Sequence, residues 1–448
     1  MSARVQNMTE GKPLPLIVAF SLPLMLGNIF QQMYTVVDTM VVGKGLGVQA
    51  LAALGASDWL VWLMLGVIQG LTQGFGIRMA QEFGARKLDK LQSTLGCSVV
   101  LTVISALVLT LGGQLAAEPV LRLLKTPESI IGDTLLYVRI IFLGTPVVLA
   151  YNLLAAILRS LGDGRTPLNA MIVASFTNIG LDLLFVLVLG WGIAGAAVAT
   201  LIAQGVSGIY CLTKVRKIQF LRLEKSHFRL GGGLGVLLMK LGSPMAFQNA
   251  IIAIGGMIVT SVVNGFGVVF IGGYTASNKL YGILEVAATS YGYAMVTYTG
   301  QNMGAGKIDR IRQGMKAAMI LSMVTSVVIA AIMILFGKGI LSLFLSGTPE
   351  ETAAAMEIAY RYLLIMSLCL PILYILHVVR SAIQGMGDTL RPMASGISEF
   401  IMRTLGSLFL PGVFGSTGVF FAEVAAWLGA DLILVPSYLI DLKKLEKE

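Results

Sequence analysis

Long apolar stretches recur from one end of the chain to the other, with polar residues gathered between them. They fall near 14–42, 48–73, 92–115, 132–157, 168–189, 193–213, 234–262, 270–300, 317–341, 353–382, 392–412 and 416–440. A helix needs about 20 predominantly apolar residues to cross a bilayer core. Lipid offers no partner to a free backbone N–H or C=O, so such segments must be helical. The pattern predicts an all-α polytopic membrane protein with twelve transmembrane helices. The first stretch is too long for a cleaved signal, and it holds Pro15, Pro23, Gln31, Gln32 and Asp38, so it reads as the first span.

Composition supports this picture. Of 448 residues, 56% are hydrophobic and only 12% charged, and the mean hydropathy is +0.84. That is too little polar surface to cover a globule in water, and too much apolar surface for disorder. The net charge of +9 could suggest nucleic acid, but the placement of the cations gives another reason. With the N-terminus inside, twenty-three of the 32 Lys and Arg fall in inner connections, from Arg4 and Lys12 through Arg380 and Arg391 to Lys447. The outer connections hold only Lys44, Arg122, Lys125 and Lys338. This bias places both termini in the cytoplasm and calls for no nucleic-acid partner. The basic stretch 214–229 reads as an inner linker. Cys97, Cys211 and Cys369 sit in apolar runs, and His227 and His377 are far apart. No cofactor, zinc or haem site is expected.

The chain repeats itself. Residues 80–91, AQEFGARKLDKL, align with 300–311, GQNMGAGKIDRI, with Gln81, Gly84, Ala85, Lys87 and Asp89 identical to Gln301, Gly304, Ala305, Lys307 and Asp309. Pro23 and Asn28 match Pro244 and Asn249, Pro146 matches Pro371, and Gly162-Asp163 with Pro167 match Gly387-Asp388 with Pro392. Each repeat holds six spans, so both enter the membrane from one side, as in parallel-repeat transporters. The predicted organisation is an N-terminal lobe over 1–213, a cytoplasmic linker over 214–233 and a C-terminal lobe over 234–448. Two similar bundles suit alternating access. The glycines Gly84, Gly304, Gly164 and Gly387 are expected at tight turns. Lys87/Asp89 and Lys307/Asp309 are expected to pair locally. The four repeat prolines are expected to kink helices.

Several of these segments carry a family resemblance. The run QQMYTVVDTMVVGKGLG (31–47) resembles the first-helix signature of the multidrug and toxic compound extrusion (MATE) family. The QEFGARK and QNMGAGK turns, LRSLGDGRTP (158–167) and QGMGDTLRP (384–392) are similar to that family's inner-loop motifs. The resemblance covers essentially the whole chain. It implies twelve helices in two six-helix lobes in a prokaryotic plasma (inner) membrane, and export of organic cations driven by an inward H+ or Na+ gradient.

Candidate chemistry lies inside the spans, where ionisable groups are costly and need a reason. Asp38 near the end of the first span, Asp182 near the end of the fifth and Thr200 near the start of the sixth all fall within about 8–12 Å of the outer helix ends at 1.5 Å per residue. Asn178, four residues before Asp182, shares its helical face. Two carboxylates in a poorly hydrated site repel, so one of them retains a proton. With amide and hydroxyl oxygens they could instead replace the water shell of Na+. The resemblance implies that Asp38, Asn178, Asp182 and Thr200 form the N-lobe cation site of one prokaryotic branch.

The second half is expected to differ. The repeat places Val259, Arg403, Ser407 and Glu423 opposite those four residues. Arg403 sits one turn after Glu399 and within reach of Glu423, the pattern of a structural ion pair. No acid stands in PMAFQNAIIAIGG (244–256), which departs from the sodium-coupled branch and favours protons. Glu285, midway along the eighth span, would attract a cationic substrate, or pair with Lys279 or with another helix. Met33, Tyr34, Met64, Met257, Tyr281 and Met295 are the other candidate substrate contacts, as polarizable or stacking side chains. The resulting expectation is a monomeric secondary exporter in membrane lipid, not an enzyme, exchanging H+ or Na+ for small organic cations. The rival reading is a flippase for lipid-linked oligosaccharides, which would need a cluster of arginines for a diphosphate.

Overall fold

The computed structural model describes residues 5–345 and 348–445. Arg4 and Lys447, counted above with the inner cations, lie outside the described residues. The first half contains α1 (Pro13–Leu46), α2 (Val48–Gly84), α3 (Leu88–Leu123), α4 (Glu128–Leu143), α5 (Thr145–Ser160), α6 (Arg165–Asp182) and α7 (Gly192–Val215). The second contains α8 (Leu234–Asn264), α9 (Val268–Gly304), α10 (Ile308–Leu341), α11 (Pro349–Met386), α12 (Leu390–Phe414) and α13 (Phe420–Leu445). No strand occurs among the described residues.

Among the described residues, nine helical stretches are long and apolar enough to cross a membrane, and α4 with α5, bent by 49° at Gly144, makes a tenth. One of the nine is the 56-residue stretch Leu390–Leu445. It is interrupted by a 3-10 turn over Gly415–Val419, and its two arms, α12 and α13, pack on each other as separate spans. The more polar α9, 37 residues long, completes the predicted twelve. The membrane-protein character shows in how faces are used. Along α10, Gly314, Ala318, Ser322 and Ser326 are buried at four-residue spacing, while Ile320, Val324, Val328 and Ile332 are exposed. Small residues let helices approach, and the large apolar ones face outward.

The repeated inner motifs are turn devices. Asp163 Oδ1 accepts from the backbone N–H groups of Arg165 (3.0 Å) and Thr166 (2.9 Å). Asp388 Oδ1 does the same for Leu390 (2.9 Å) and Arg391 (3.2 Å). Each Gly-Asp pair thus satisfies amides that the start of the next helix leaves without partners, with Gly162 (φ +80°) and Gly387 (φ +100°) in left-handed backbone. The other repeated turn puts its left-handed residue at Arg86 (φ +58°) and Gly306 (φ +67°). Gly84 and Gly304 instead end their helices, and Gly164 has a negative φ. Lys307 does not pair with Asp309: its Nζ donates to Thr9 O at 2.9 Å.

The chain divides into two compact units, 1–8 with 22–246 and 9–21 with 247–448. The division differs from the predicted boundaries because α1 and α8 each contribute to both units, and Pro23 and Pro244 lie within two residues of the changes. A close helix crossing accounts for the assignment of α8's start to the first unit. A Cβ on Gly70 would meet Met245 C at 2.6 Å, and one on Gly74 would meet Leu241 C at 2.8 Å. Only glycine at both positions admits that approach. The linker also belongs to the first unit: Gln92 Nε2 on α3 donates to Phe220 O at 3.0 Å.

In the second unit α11 packs against α9, α10 and α13 and is buried along much of its length. A buried ion ladder lies beside it. Glu399 on α12 takes Arg380 Nη2 from α11 at 2.7 Å and Arg403 Nη2 at 3.1 Å. Arg403 also reaches Glu423 on α13 at 2.9 Å. The expected Glu399–Arg403–Glu423 set is present. Arg380, assigned from sequence to the inner loops, is its fourth member and is buried. Removing one partner of a buried pair costs about 3–5 kcal/mol because the other charge is stranded. Glu399→Gln should therefore lower the melting temperature in detergent markedly, while a change at exposed Glu357 on α11 should leave it near wild type. Equal melting of the two variants would refute the ladder's structural role.

Candidate functional site

The first unit holds two acids whose surroundings offer them no cation. Asp38 lies on α1, and Asp182 is the last residue of α6. Asp182 is fully buried and Asp38 half-buried. Their carboxyls come within hydrogen-bonding reach of each other. Asp38 Oδ1 and both oxygens of Asp182 have no other partner, and among the described residues no Lys or Arg pairs with either acid. One turn earlier on α6, Asn178 is also buried, and neither its Oδ1 nor its Nδ2 is hydrogen-bonded. Most buried polar groups in proteins are satisfied, so the Asp38–Asp182–Asn178 cluster is the candidate site of the first unit.

The local backbone is unusual at the same point. After Asp182 the chain winds as a π-helix over Leu183–Val188, with Leu189 N donating to Leu184 O at 2.8 Å. A π segment carries one wider turn and often marks functional positions. Here it begins immediately after the buried acid. Two phenols border the pair electrostatically: Tyr34, one turn before Asp38, and Tyr137 on α4. Neither Tyr137 nor the π turn was singled out from sequence. Tyr137 sits in an ordinary apolar run, and no residue pattern announces a π turn.

Thr200 lies half-buried on α7, which packs on α6. No hydrogen bond joins its hydroxyl to the acids among the described residues. The structure therefore brings together Asp38 and Asp182, with Asn178 alongside, and leaves Thr200 outside their hydrogen-bonding group.

A matched architecture now stands beside this geometry: the MatE family model matches residues 23–184 and 244–408, one segment in each half. The chain belongs to the MatE family. Two Bacillus subtilis relatives agree. The probable multidrug resistance protein YpnP is 31% identical over 397 residues, 89% of this chain and 88% of its own length. The probable multidrug resistance protein YoeA is 31% identical over 356 residues, 77% of this chain and 75% of its own. A MOP superfamily transporter from Pyrococcus furiosus has the same fold, with a TM-score of 0.92 at 20% identity and full coverage of both chains.

The remaining MatE candidates scatter. Met295 is fully buried, and Met64 is buried with its sulfur accepting from Thr145 Oγ1 at 3.2 Å. Both are packing residues here and offer a substrate no surface, a correction to the sequence-based expectation. Met33 is exposed, and Met257 and Tyr34 are half-buried. Tyr281 stacks on Trp427, ring centres 6.0 Å apart. Glu285 pairs with His377 Nε2 at 3.3 Å rather than with Lys279, which is exposed.

The two acid clusters give a chemical test. Carbodiimides attack protonated carboxyls in apolar surroundings. Labelling of Asp38 or Asp182, read by peptide mass spectrometry, should exceed that of Glu399 and fall as pH rises, because only the protonated form reacts. Glu399, held ionised between two arginines, should stay unlabelled. Labelling of Glu399 in preference to the pair would contradict this account.

Proposed function

We propose that this protein is a secondary active exporter that exchanges protons for small organic cations by alternating access, with the Asp38–Asp182 pair as the proton carrier. The single observation that carries the reading is a pair of carboxyls within hydrogen-bonding reach of each other, one of them fully buried, with no basic partner among the described residues. Two ionised carboxylates about 4 Å apart repel by about 4 kcal/mol even at an effective dielectric of 20. A shared proton removes that repulsion, and access to water decides when the proton leaves. Asn178 supports the pair as a neutral hydrogen-bonding neighbour that can follow either protonation state.

Sodium fits the site less well. Thr200 is half-buried and is not hydrogen-bonded to the acids among the described residues, and no acid stands in the 244–256 stretch of the second half. The names of the Bacillus relatives support multidrug export as the class of activity. The flippase reading needs free buried arginines for a diphosphate, whereas Arg380 and Arg403 are both taken by Glu399 and Glu423. We assign both termini to the cytoplasmic side from the distribution of the cations, and the protein to a prokaryotic inner membrane from its likeness to the bacterial relatives.

Transport in proteoliposomes under separately imposed pH and sodium gradients tests the reading. A pH gradient alone should drive uptake of a cationic dye such as ethidium, and a sodium gradient alone should not. Asp38→Asn and Asp182→Asn should each lower proton-driven uptake by about 10²-fold or more, on the scale of losing an essential proton-transfer group. Their melting temperatures should stay near wild type. Full proton-driven transport in both variants would overturn the assignment.

A further inference from the structure

In the second unit, at the end opposite its inner turns, α10 and α11 pack side by side and leave a cavity of about 370 Å³ whose lining includes Lys338, Met356, Glu357, Tyr360, Arg361 and Leu364. Its charges do not balance. Arg361 Nη2 donates to Glu357 Oε1, one turn earlier on α11, at 2.9 Å, and Nη1 donates to Thr417 Oγ1 at 3.3 Å. Lys338 on α10 pairs with no carboxylate among the described residues; its Nζ lies 4.8 Å from the centre of the Tyr360 ring. That ring is fixed across the helix pair, because its hydroxyl donates to Ile334 O at 2.8 Å. An ammonium resting on a ring face still turns N–H donors away from it. Glu350 and Glu351 stand in the first turn of α11 and do not line the cavity, and Glu351 caps that helix on Thr348. Two cations and one carboxylate leave the cavity with one positive charge unmet.

The surface beneath the cavity identifies the class of anion. Counting back from Lys338, the residues Leu335, Ala331, Val327, Val324 and Ile320 fall at helical spacing on one face of α10, and all are exposed. From Val327 to Lys338 is about 16 Å at 1.5 Å per residue. That is about half of the roughly 30 Å hydrocarbon core, the depth of one leaflet. Below Arg361 on α11, Leu364 and exposed Leu368 continue an apolar face at the same spacing. A small soluble anion gains nothing from these stripes, whereas a phospholipid meets them along its acyl chains. We propose that this cavity is a binding site for an anionic phospholipid of the phosphatidylglycerol type. The phosphodiester takes the Lys338 ammonium and the remaining N–H groups of the Arg361 guanidinium, and the acyl chains lie along the α10 stripe. One headgroup thereby bridges α10 and α11. Phosphatidylethanolamine suits the site less: its headgroup carries no net charge, and Glu357, which could receive the ammonium, is already held by Arg361. The site belongs to the second unit alone and is independent of the acid pair and of the exchange proposed above.

The test is photo-crosslinking of the full chain in phosphatidylcholine vesicles that contain a trace of phosphatidylglycerol with a diazirine in its headgroup, the adducts being mapped by peptide mass spectrometry. Adducts should fall on the segments 335–341 and 353–364. Lys338→Gln and Arg361→Gln should each lower that labelling by about fivefold, the effect of one basic residue on an anionic lipid. Lys125→Gln, which removes an exposed cation of the first unit, should leave it unchanged. Labelling of the basic linker 214–229 should be the same in every variant, which separates a loss at the cavity from a loss of protein or probe. The same diazirine carried on phosphatidylethanolamine should label the cavity less. An excess of inorganic phosphate, compared with chloride at equal ionic strength, should not displace the lipid. The proposal is overturned if the two segments carry no adducts, if either the Lys338 or the Arg361 variant labels like wild type, or if phosphatidylethanolamine labels as strongly. Displacement by inorganic phosphate would make the cavity a site for a free anion and overturn it equally.

Discussion

Lipid cannot solvate charge, so every ionisable group in a span must find a partner, stay neutral or exchange ions with water. That constraint organises this protein more than any packing preference. Asp38 and Asp182 find only each other. Removing water from two like charges and leaving them adjacent is unfavourable on both counts, desolvation and repulsion. The arrangement persists because the helices over-determine it. Asp182 is fixed at the end of α6, where the α-helical hydrogen-bond pattern gives way to the π turn over Leu183–Val188. Asp38 is carried on α1, which belongs to the same unit from residue 22 onward.

The internal repeat gives this argument a comparison within one chain. The second unit is built from the corresponding helices but meets the constraint in another way. Where the first half has Asn178, the second has Arg403, and where the first has Thr200, the second has Glu423. The guanidinium spans Glu399 and Glu423, and Arg380 closes the other side of Glu399. Those charges are permanent and mutually satisfied, so they staple α11, α12 and α13 together. All four matched positions differ, Val259, Arg403, Ser407 and Glu423 standing where the first half has Asp38, Asn178, Asp182 and Thr200, so the acid pair of the first half is replaced by a buried ion ladder in the second. Glu285 and His377 form a separate pair, Nε2 to Oε1 at 3.3 Å, outside that ladder.

Much of the fold was legible because its signals are long. Twelve apolar stretches survive errors of several residues at each end, and a repeat seen in a dozen ordered matches does not depend on any one of them. The acid pair was legible from depth: Asp38 and Asp182 lie at similar distances from their helix ends, and Asn178 follows by helical spacing. What escaped sequence reading depends on direction and partners. Arg380 sits at the edge of an apolar run, where position alone cannot separate a loop cation from a buried one. Lys279 is six residues before Glu285, a spacing that turns the two to different faces of α9, and the true partner lies on another helix. Met64 and Met295 share their composition with cavity-lining methionines but face the core. The passage of α1 and α8 between units falls inside unbroken helices, where composition does not change.

The same physics bears on which ion the first unit suits. A sodium site would replace a hydration shell with oxygen ligands that converge on one point, without needing to hydrogen-bond one another. Here the hydroxyl expected to complete such a shell, on Thr200, stands outside the hydrogen-bonding group of the acids. A proton needs only one oxygen to hold it and a second to share it, which two carboxyls within hydrogen-bonding reach of each other supply. The pair also cannot be left empty without the repulsion of two buried charges, so it is loaded unless water or a competing cation reaches it. In the exchange proposed above, the proton leaves only where something else can bear the charge it uncovers.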